Sequence, residues 1–212
     1  MKDLYDQISS KCSKFITRKY STSFSLGIYH LDKSIHEPIY NIYGFVRLAD
    51  EIVDSFHGFD KERLLKQFRE DTVQAIKDKI SLNPVLNSFQ HTFHNYDIEW
   101  HLVDSFLKSM EMDLLQSKYN SIEYDNYIYG SAEVVGLMCL RVFTNGDHNL
   151  YEKLIPYAKK LGSAFQKINF LRDLQDDYEK LGRTYFPNID LKNISSKDKR
   201  LIESEIELEF DE

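Results

Sequence analysis

The segment from Gly162 to Pro187, GSAFQKINFLRDLQDDYEKLGRTYFP, constrains this chain more than any other. At about 100° per residue, a helix through it brings Gln166, Asn169, Asp173 and Asp177 within an arc of roughly 80°. Two amides and two carboxylates on one face are equipped to hold a cation, with Arg172 and Asp176 on the flanks. A polar stripe can be simply the wet side of a helix. Here Phe165, Ile168, Phe170, Leu171 and Leu174 surround it with apolar side chains, so the stripe is expected to look into a cavity. Gly182-Arg183 and then Pro187 end the helix and turn the chain away.

A second stretch repeats the device. In Tyr43-Gly44-Phe45-Val46-Arg47-Leu48-Ala49-Asp50-Glu51-Ile52-Val53-Asp54, the residues Tyr43, Arg47, Asp50 and Asp54 follow one helical face. Carboxylates one turn apart repel unless a positive group lies between them, and two such pairs on separate helices can share divalent ions. Oxygen donors without Cys or His nearby suit a hard cation. Mg²⁺ in particular takes one or two carboxylates, keeps several waters and completes its shell with substrate phosphate oxygens. The expectation is that both acidic pairs face a common hollow.

With 212 residues the chain is long enough for a substantial core, and it is read as one domain over residues 1–212. A net charge of −7 without a continuous basic stripe argues against nucleic acid as the partner. An anionic substrate would then need local positive charge from metal and a few arginines. Cys12 and Cys139 have neither metal nor disulfide spacing, which suits a reducing cytosol. No signal peptide is seen after Met1, and no apolar run approaches the ~18 residues of a membrane span.

In chain order, Leu4 to Tyr20 reads as an amphipathic helix with Leu4, Ile8, Cys12, Phe15 and Ile16 inward. The hydroxyl-rich Tyr20-to-Gly27 segment breaks helical periodicity; it reads as a phosphate-touching flap or as a cap and loop between helices. Ser34 to Phe56 reads as one long helix with Pro38 in its first turn. Asp60 starts the next, with Leu64, Leu65, Phe68, Val73 and Ile76 facing the core. Another follows Asn83-Pro84 to about His94. His91 and His94 lack a well-placed carboxylate and are read as solvated or packing residues. Glu99 to Lys118 buries Leu102, Val103, Phe106, Leu107, Met110 and Leu114. The small residues between Tyr124 and Leu140 allow close approach of a long ligand or of another helix. Leu150 to Lys180 is the helix of the opening segment, and Asn193 to Asp198 leads into a last one carrying Leu201, Ile202, Ile206, Leu208 and Phe210. With no alternating strand pattern and no internal repeat, the fold class is an all-α bundle.

Four motifs in order resemble the squalene and phytoene synthase family: Ser21-Thr22-Ser23-Phe24 its flap, Asp50 to Asp54 its first aspartate motif, Tyr127 to Gly136 its tyrosine segment, and Gln166 to Asp177 its second aspartate motif, trailed by Gly182-Arg183-Thr184-Tyr185-Phe186-Pro187. The likeness runs from about Tyr5 to Pro187. Glu133 stands where many relatives carry glycine and Ser131 where they carry valine, and the Ser-Ala variant is more like phytoene synthases. Family members continue beyond Glu212, so the resemblance implies an isoprenoid-synthase-type bundle around a central cavity, cut short of its last helices.

The resemblance further implies Mg²⁺-dependent head-to-head condensation of two geranylgeranyl diphosphates to phytoene, through a cyclopropyl intermediate. Mn²⁺ could substitute, and NADPH is not expected. Metal would be held by Asp50, Asp54, Asn169, Asp173 and Asp177, with Gln166 orienting that shell. Arg47, Arg172 and Arg183 would fork onto phosphate oxygens, and Ser21 and Ser23 would touch the second diphosphate. Phe24, Tyr43 and Phe165 would wall a carbocation, Ala132 and Gly136 would leave room for the prenyl chain, and Tyr127 would assist leaving-group departure and accept a proton. The implied setting is cytoplasmic, with peripheral membrane contact for release of an apolar product. Alternatives are a squalene or dehydrosqualene synthase using farnesyl diphosphate, which for squalene would need NADPH, and a non-catalytic assembly relative. A carboxylate-bridged iron bundle lacks its Glu-x-x-His pattern here.

Overall fold

A computed structural model describes residues 2–115, 119–176, 185–186 and 196–211, giving only the backbone for 174–176 and 196–197. Every regular element among them is helical. Chain contacts divide into two compact units, Met1–Trp100 with Met138–Tyr151 and His101–Leu137 with Glu152–Glu212.

The first unit holds α1 (Lys2–Tyr20), α2 (Thr22–His30), α3 (Lys33–Asp54), α4 (Lys61–Asp78) and α5 (Pro84–Asn95). Side chains that accept backbone N–H bonds start four of them: Ser21, Asp32, Asp60 and Asn83. Because α3 begins at Lys33, Pro38 lies in its second turn rather than its first. The core centres on Phe45, whose ring stacks on Phe89 at 4.0 Å and on Phe68 at 5.5 Å, with Ile39, Ile42, Leu65 and Leu86 fully buried around it. On α4 the buried positions are Leu65, Phe68, Thr72 and Ala75, while Val73, expected inside, is exposed.

The inward face of α1 differs from the expectation. Leu4, Ile8 and Phe15 are exposed, and Ser9, Ser13 and Thr17 are buried in their place. The reason is backbone proximity: a methyl added to Gly44 of α3 would sit 2.7 Å from the Ser13 Cβ, so only small side chains fit between these helices. The buried hydroxyls are satisfied locally. Ser9 donates to the Tyr5 carbonyl (2.8 Å), Thr17 donates to the Ser13 carbonyl (2.9 Å), and Ser13 and Ser88 share a hydrogen bond at 2.7 Å. The hydroxyl-rich segment also departs from the loop reading, since it is the helix α2, with Ser21 as its cap.

The second unit holds most of α6 (Trp100–Leu115), then α7 (Ser121–Ile128), a π-helical turn over Tyr129–Glu133, the start of α8 (Val134–Thr144), most of α9 (His148–Asp176), and α10 (Ser196–Asp211). A capping box between Asn120 and Glu123 starts α7. The helices meet closely at glycines. A methyl on Gly130 would lie 2.6 Å from the Ser105 carbonyl oxygen, and one on Gly162 would lie 3.1 Å from that of Ala132. An aromatic core gathers Tyr119, Tyr124, Tyr127, Phe170, Tyr185 and Phe186, with Ile128 and Ile202. Among the described side chains of α10, Ile202 is the one buried, while Leu201, Leu208 and Phe210 are exposed. The helix is instead tied to α9 by Glu209, which accepts from Lys167 at 2.8 Å and from Ser163 at 3.0 Å. A lysine as buried as Lys167 needs that carboxylate.

Candidate active site

In the first unit, α3 carries Tyr43, Arg47, Asp50 and Asp54 on one half-buried face, as the four-three-four spacing predicts. Arg47 forks between two carboxylates, bonding Asp50 through one terminal nitrogen and Glu51 through the other at 2.8 Å. Its guanidinium lies 4.6 Å from the Tyr20 ring centroid. Burial opposes the charge on Arg47, yet Asp50 and Glu51 outweigh it and hold the guanidinium above its ordinary pKa. The positive group needed between neighbouring carboxylates is therefore built into the helix, and Glu51 is a member of the acidic set that the sequence reading left out. Phe24 stacks on Tyr43 at 3.9 Å, so the start of α2 lies against the same face. Ser21 is occupied as a cap, accepting from the Phe24 N–H at 3.3 Å, whereas Ser23 is exposed. The first N–H groups of a helix have no partner within it, and here they belong to the residues of the expected flap.

In the second unit, α9 presents Gln166, Asn169 and Asp173 half-buried in a row. Asn169 donates to Gln166 at 3.5 Å, and Arg172 forks onto Asp173 at 2.6 and 2.8 Å. Phe165 and Ile168 flank the row and are 54% and 41% exposed, so apolar surface borders the polar stripe, as the sequence suggests. Asp177, Arg183 and Pro187 lie outside the described residues.

Tyr127 is 3% exposed, and its hydroxyl donates to Asp113 at 2.7 Å. Two further phenols reach the same carboxyl group, Tyr119 at 3.0 Å and Tyr185 at 3.3 Å. Burial first, and then Asp113, push the Tyr127 phenol well above its ordinary pKa. The sequence reading missed Asp113. A signal was present, because it continues the buried face of α6 after Phe106 and Met110, where a carboxylate is out of place without partners. Gly136, assigned to making room for a prenyl chain, faces the Ala158 carbonyl 3.1 Å from where its Cβ would be. Close helix packing, the plain alternative, accounts for that glycine. The Ala132 backbone likewise packs against Gly162. Glu133 ends the π-helical turn and pairs with Lys159 at 3.1 Å.

Among the described residues, no three His, Cys, Asp or Glu side chains cluster tightly enough to hold a metal by themselves. The donors present are carboxylate and amide oxygens in short rows, Asp50 with Asp54 and Asp173 with Asn169. They fit an ion that takes few protein ligands and fills its shell with water and phosphate, which describes Mg²⁺ better than zinc or calcium. His94 is bonded to the Ile76 carbonyl at 2.8 Å, consistent with its reading as a packing residue.

The squalene/phytoene synthase family model matches residues 17–211. The chain belongs to that family. It is similar to phytoene synthase of Arthrospira platensis, 27% identical over 202 residues covering 91% of this chain and 65% of the relative. It is also similar to presqualene diphosphate synthase of Sinorhizobium fredii, 31% identical over 181 residues covering 84% of this chain and 63% of the relative. Among solved structures, a dehydrosqualene synthase in complex with ligand superposes with a TM-score of 0.82 at 25% identity, covering 99% of this chain and 75% of the other. The fold is thus that of the squalene synthase-like isoprenoid synthases, and the chain spans about two thirds or less of the length of these two curated relatives. The family consists of prenyltransferases, with members named for different products.

Proposed function

We propose that this protein is a prenyltransferase that joins two allylic prenyl diphosphates head to head, with geranylgeranyl diphosphate as substrate and phytoene as product. The observation that carries the reading is the pair of acidic rows, each backed by an arginine, in a chain of this family. Asp50 and Asp54 would hold divalent ions in one row, and Asn169, Asp173 and Asp177 in the other. Bound Mg²⁺ supplies Lewis-acid neutralisation of the diphosphate as the allylic C–O bond breaks.

The chain's own groups do the rest. Arg172 and Arg183 meet phosphate oxygens, and the N–H groups at the start of α2, with Ser23, receive the second diphosphate. The stacked Phe24 and Tyr43 offer aromatic faces to an allylic cation without offering a nucleophile. Conversion to phytoene involves no reduction, so NADPH is not required.

Use of farnesyl diphosphate is the second reading, favoured by relatives named for presqualene diphosphate and dehydrosqualene. Peripheral membrane contact is part of the proposal. On α1, Leu4, Ile8 and Phe15 are exposed beside Lys11, Lys14, Arg18 and Lys19, and residues 7–31 contain no carboxylate although the whole chain carries −7. An apolar row edged with cations fits an anionic lipid surface. No helix among the described residues is long and apolar enough to cross a membrane.

The test is incubation with geranylgeranyl and farnesyl diphosphates, with and without Mg²⁺ and NADPH, followed by product mass. A C40 hydrocarbon from the C20 substrate, formed only with metal, is expected. Turnover without metal, or a C30 product alone, overturns the assignment as stated.

A further inference from the structure

Three phenols converge on one buried carboxyl group in the second unit. Asp113, on α6, is 8% exposed and accepts from Tyr127 through Oδ2, and from Tyr119 and Tyr185 through Oδ1. The three tyrosines come from different parts of the chain: just before the Asn120 cap of α7, the end of α7, and the stretch after the second aspartate motif. Their rings cluster with Phe170, Tyr185 stacking on both Tyr119 and Phe170 while Tyr127 lies tilted against them. Phe170 lies 4.1 Å from Tyr185, Tyr127 5.1 Å from both Tyr119 and Tyr185, and Tyr119 5.4 Å from Tyr185. A purely apolar core would pack as well with phenylalanine throughout. Burying a carboxylate costs several kcal/mol of desolvation by itself, on the order of the penalty general to unpaired buried ions. The feature that calls for explanation is therefore Asp113.

Donor and acceptor chemistry gives the explanation. A carboxylate only accepts, and a phenol has one proton to donate. With that proton committed to Oδ2 at 2.7 Å, the Tyr127 oxygen has only lone pairs left for any other group.

We propose that Asp113 is a positioning residue that fixes the hydrogen-bond polarity of Tyr127, so that in the prenyl-transfer reaction the Tyr127 oxygen takes the proton the carbocation loses as a C–H bond gives way to a C=C bond, while its own proton passes to Oδ2 of Asp113, and Tyr127 does not donate to the departing diphosphate. The inference rests on the function proposed above and narrows it, since the family resemblance leaves both roles to this tyrosine. Tyr119 and Tyr185 complete the carboxylate's hydrogen bonds and keep it from turning away. The raised pKa of the Tyr127 phenol agrees, since it keeps the proton between the two oxygens at neutral pH.

A kinetic double-mutant cycle with Asp113→Asn and Tyr127→Phe, assayed with geranylgeranyl diphosphate and Mg²⁺, tests this. If Asp113 works through Tyr127, each single variant loses about 100-fold in kcat, the lower end of proton-transfer contributions, with KM changed less than about threefold. The double variant then stays within about threefold of Tyr127→Phe. Wild-type kcat in Asp113→Asn, or losses that multiply in the double variant, overturns the proposal. Should Asp113→Asn not fold, Asp113→Glu keeps the charge but displaces the acceptor by one methylene, and the same cycle applies.

A second readout separates this proposal from the function it rests on. With ¹³Cζ-labelled tyrosine, the Tyr127 resonance, assigned by its loss in Tyr127→Phe, is expected to move in Asp113→Asn. An unmoved resonance overturns the polarity assignment whatever the activity. Absence of turnover in the wild-type protein overturns the proposed function, and a moved resonance would still support the assigned polarity.

Discussion

The close approach of α1 to α3 predicts opposite outcomes for one substitution at two helical glycines. In Gly44→Ala the new methyl would sit 2.7 Å from the Ser13 Cβ and 2.9 Å from its Cα, where carbon atoms prefer about 3.5–4.0 Å. The obstructing atoms are backbone and the first side-chain carbon, so no rotamer relieves the clash and α1 must retreat. Overpacking of this kind costs about 1–3 kcal/mol, and alanine's better helix propensity returns up to about 1 kcal/mol. A net loss of about 1–2 kcal/mol remains. At about 2–4 °C per kcal/mol for a chain of this size, Tm should fall by roughly 2–8 °C. Gly27, in α2, has nothing within 4 Å of the same added atom, so Gly27→Ala should stabilise by about 0.5–1 kcal/mol. Thermal unfolding followed by circular dichroism reads both. A Gly44→Ala protein as stable as the wild type would refute the small-residue docking of α1, and with it the explanation of why Leu4, Ile8 and Phe15 face outward. The consequence reaches the proposed site, because α3 carries Tyr43, Arg47, Asp50 and Asp54.

Two further predictions follow from the charges. Burial holds the Glu133 carboxyl above its ordinary 4.5 against the pull of Lys159, so the folded state keeps that proton to higher pH than the unfolded state. Its contribution is full below 4.5 and is lost as pH rises through the raised value, so Glu133→Gln should flatten the decline in denaturation midpoint just above 4.5; an unchanged pH dependence would count against this. On α1, the exposed cations predict sedimentation with vesicles containing phosphatidylglycerol but not with neutral vesicles. That binding should weaken as salt shortens the screening length to about 8 Å, and Lys11→Glu with Phe15→Ser should abolish it. Equal binding to neutral vesicles would remove the electrostatic part of the argument.

Sequence pattern revealed the all-helical class, most helix positions and the acidic faces, because caps such as Asn83 and Asp60 and spacings such as Arg47-Asp50-Asp54 act within one element. It misplaced what depends on a second element. The α1 stripe looked inward by hydrophobicity, but the backbone distance to Gly44 decides the packed face, and no periodicity encodes that distance. Gly136 carries the same lesson, since a small residue marks a close neighbour without saying whether it is substrate or helix. Asp113 stood in an apolar row, yet its partners Tyr127 and Tyr185 lie 14 and 72 residues away, beyond any local pattern. Family motifs pointed to Tyr127 and left its donor or acceptor role open; the proposal that assigns it starts from the bond to Asp113, which no motif contains.

The central claim is that the acidic rows bind diphosphate through divalent metal. Calorimetric titration of a non-reactive geranylgeranyl thiolodiphosphate into wild type, Asp50→Asn and Asp173→Asn, with and without Mg²⁺, measures it directly. The account predicts tight binding only with Mg²⁺ and at least a tenfold loss, about 1.4 kcal/mol, in each variant. Binding that is equally tight without metal, or unchanged in both variants, would contradict it.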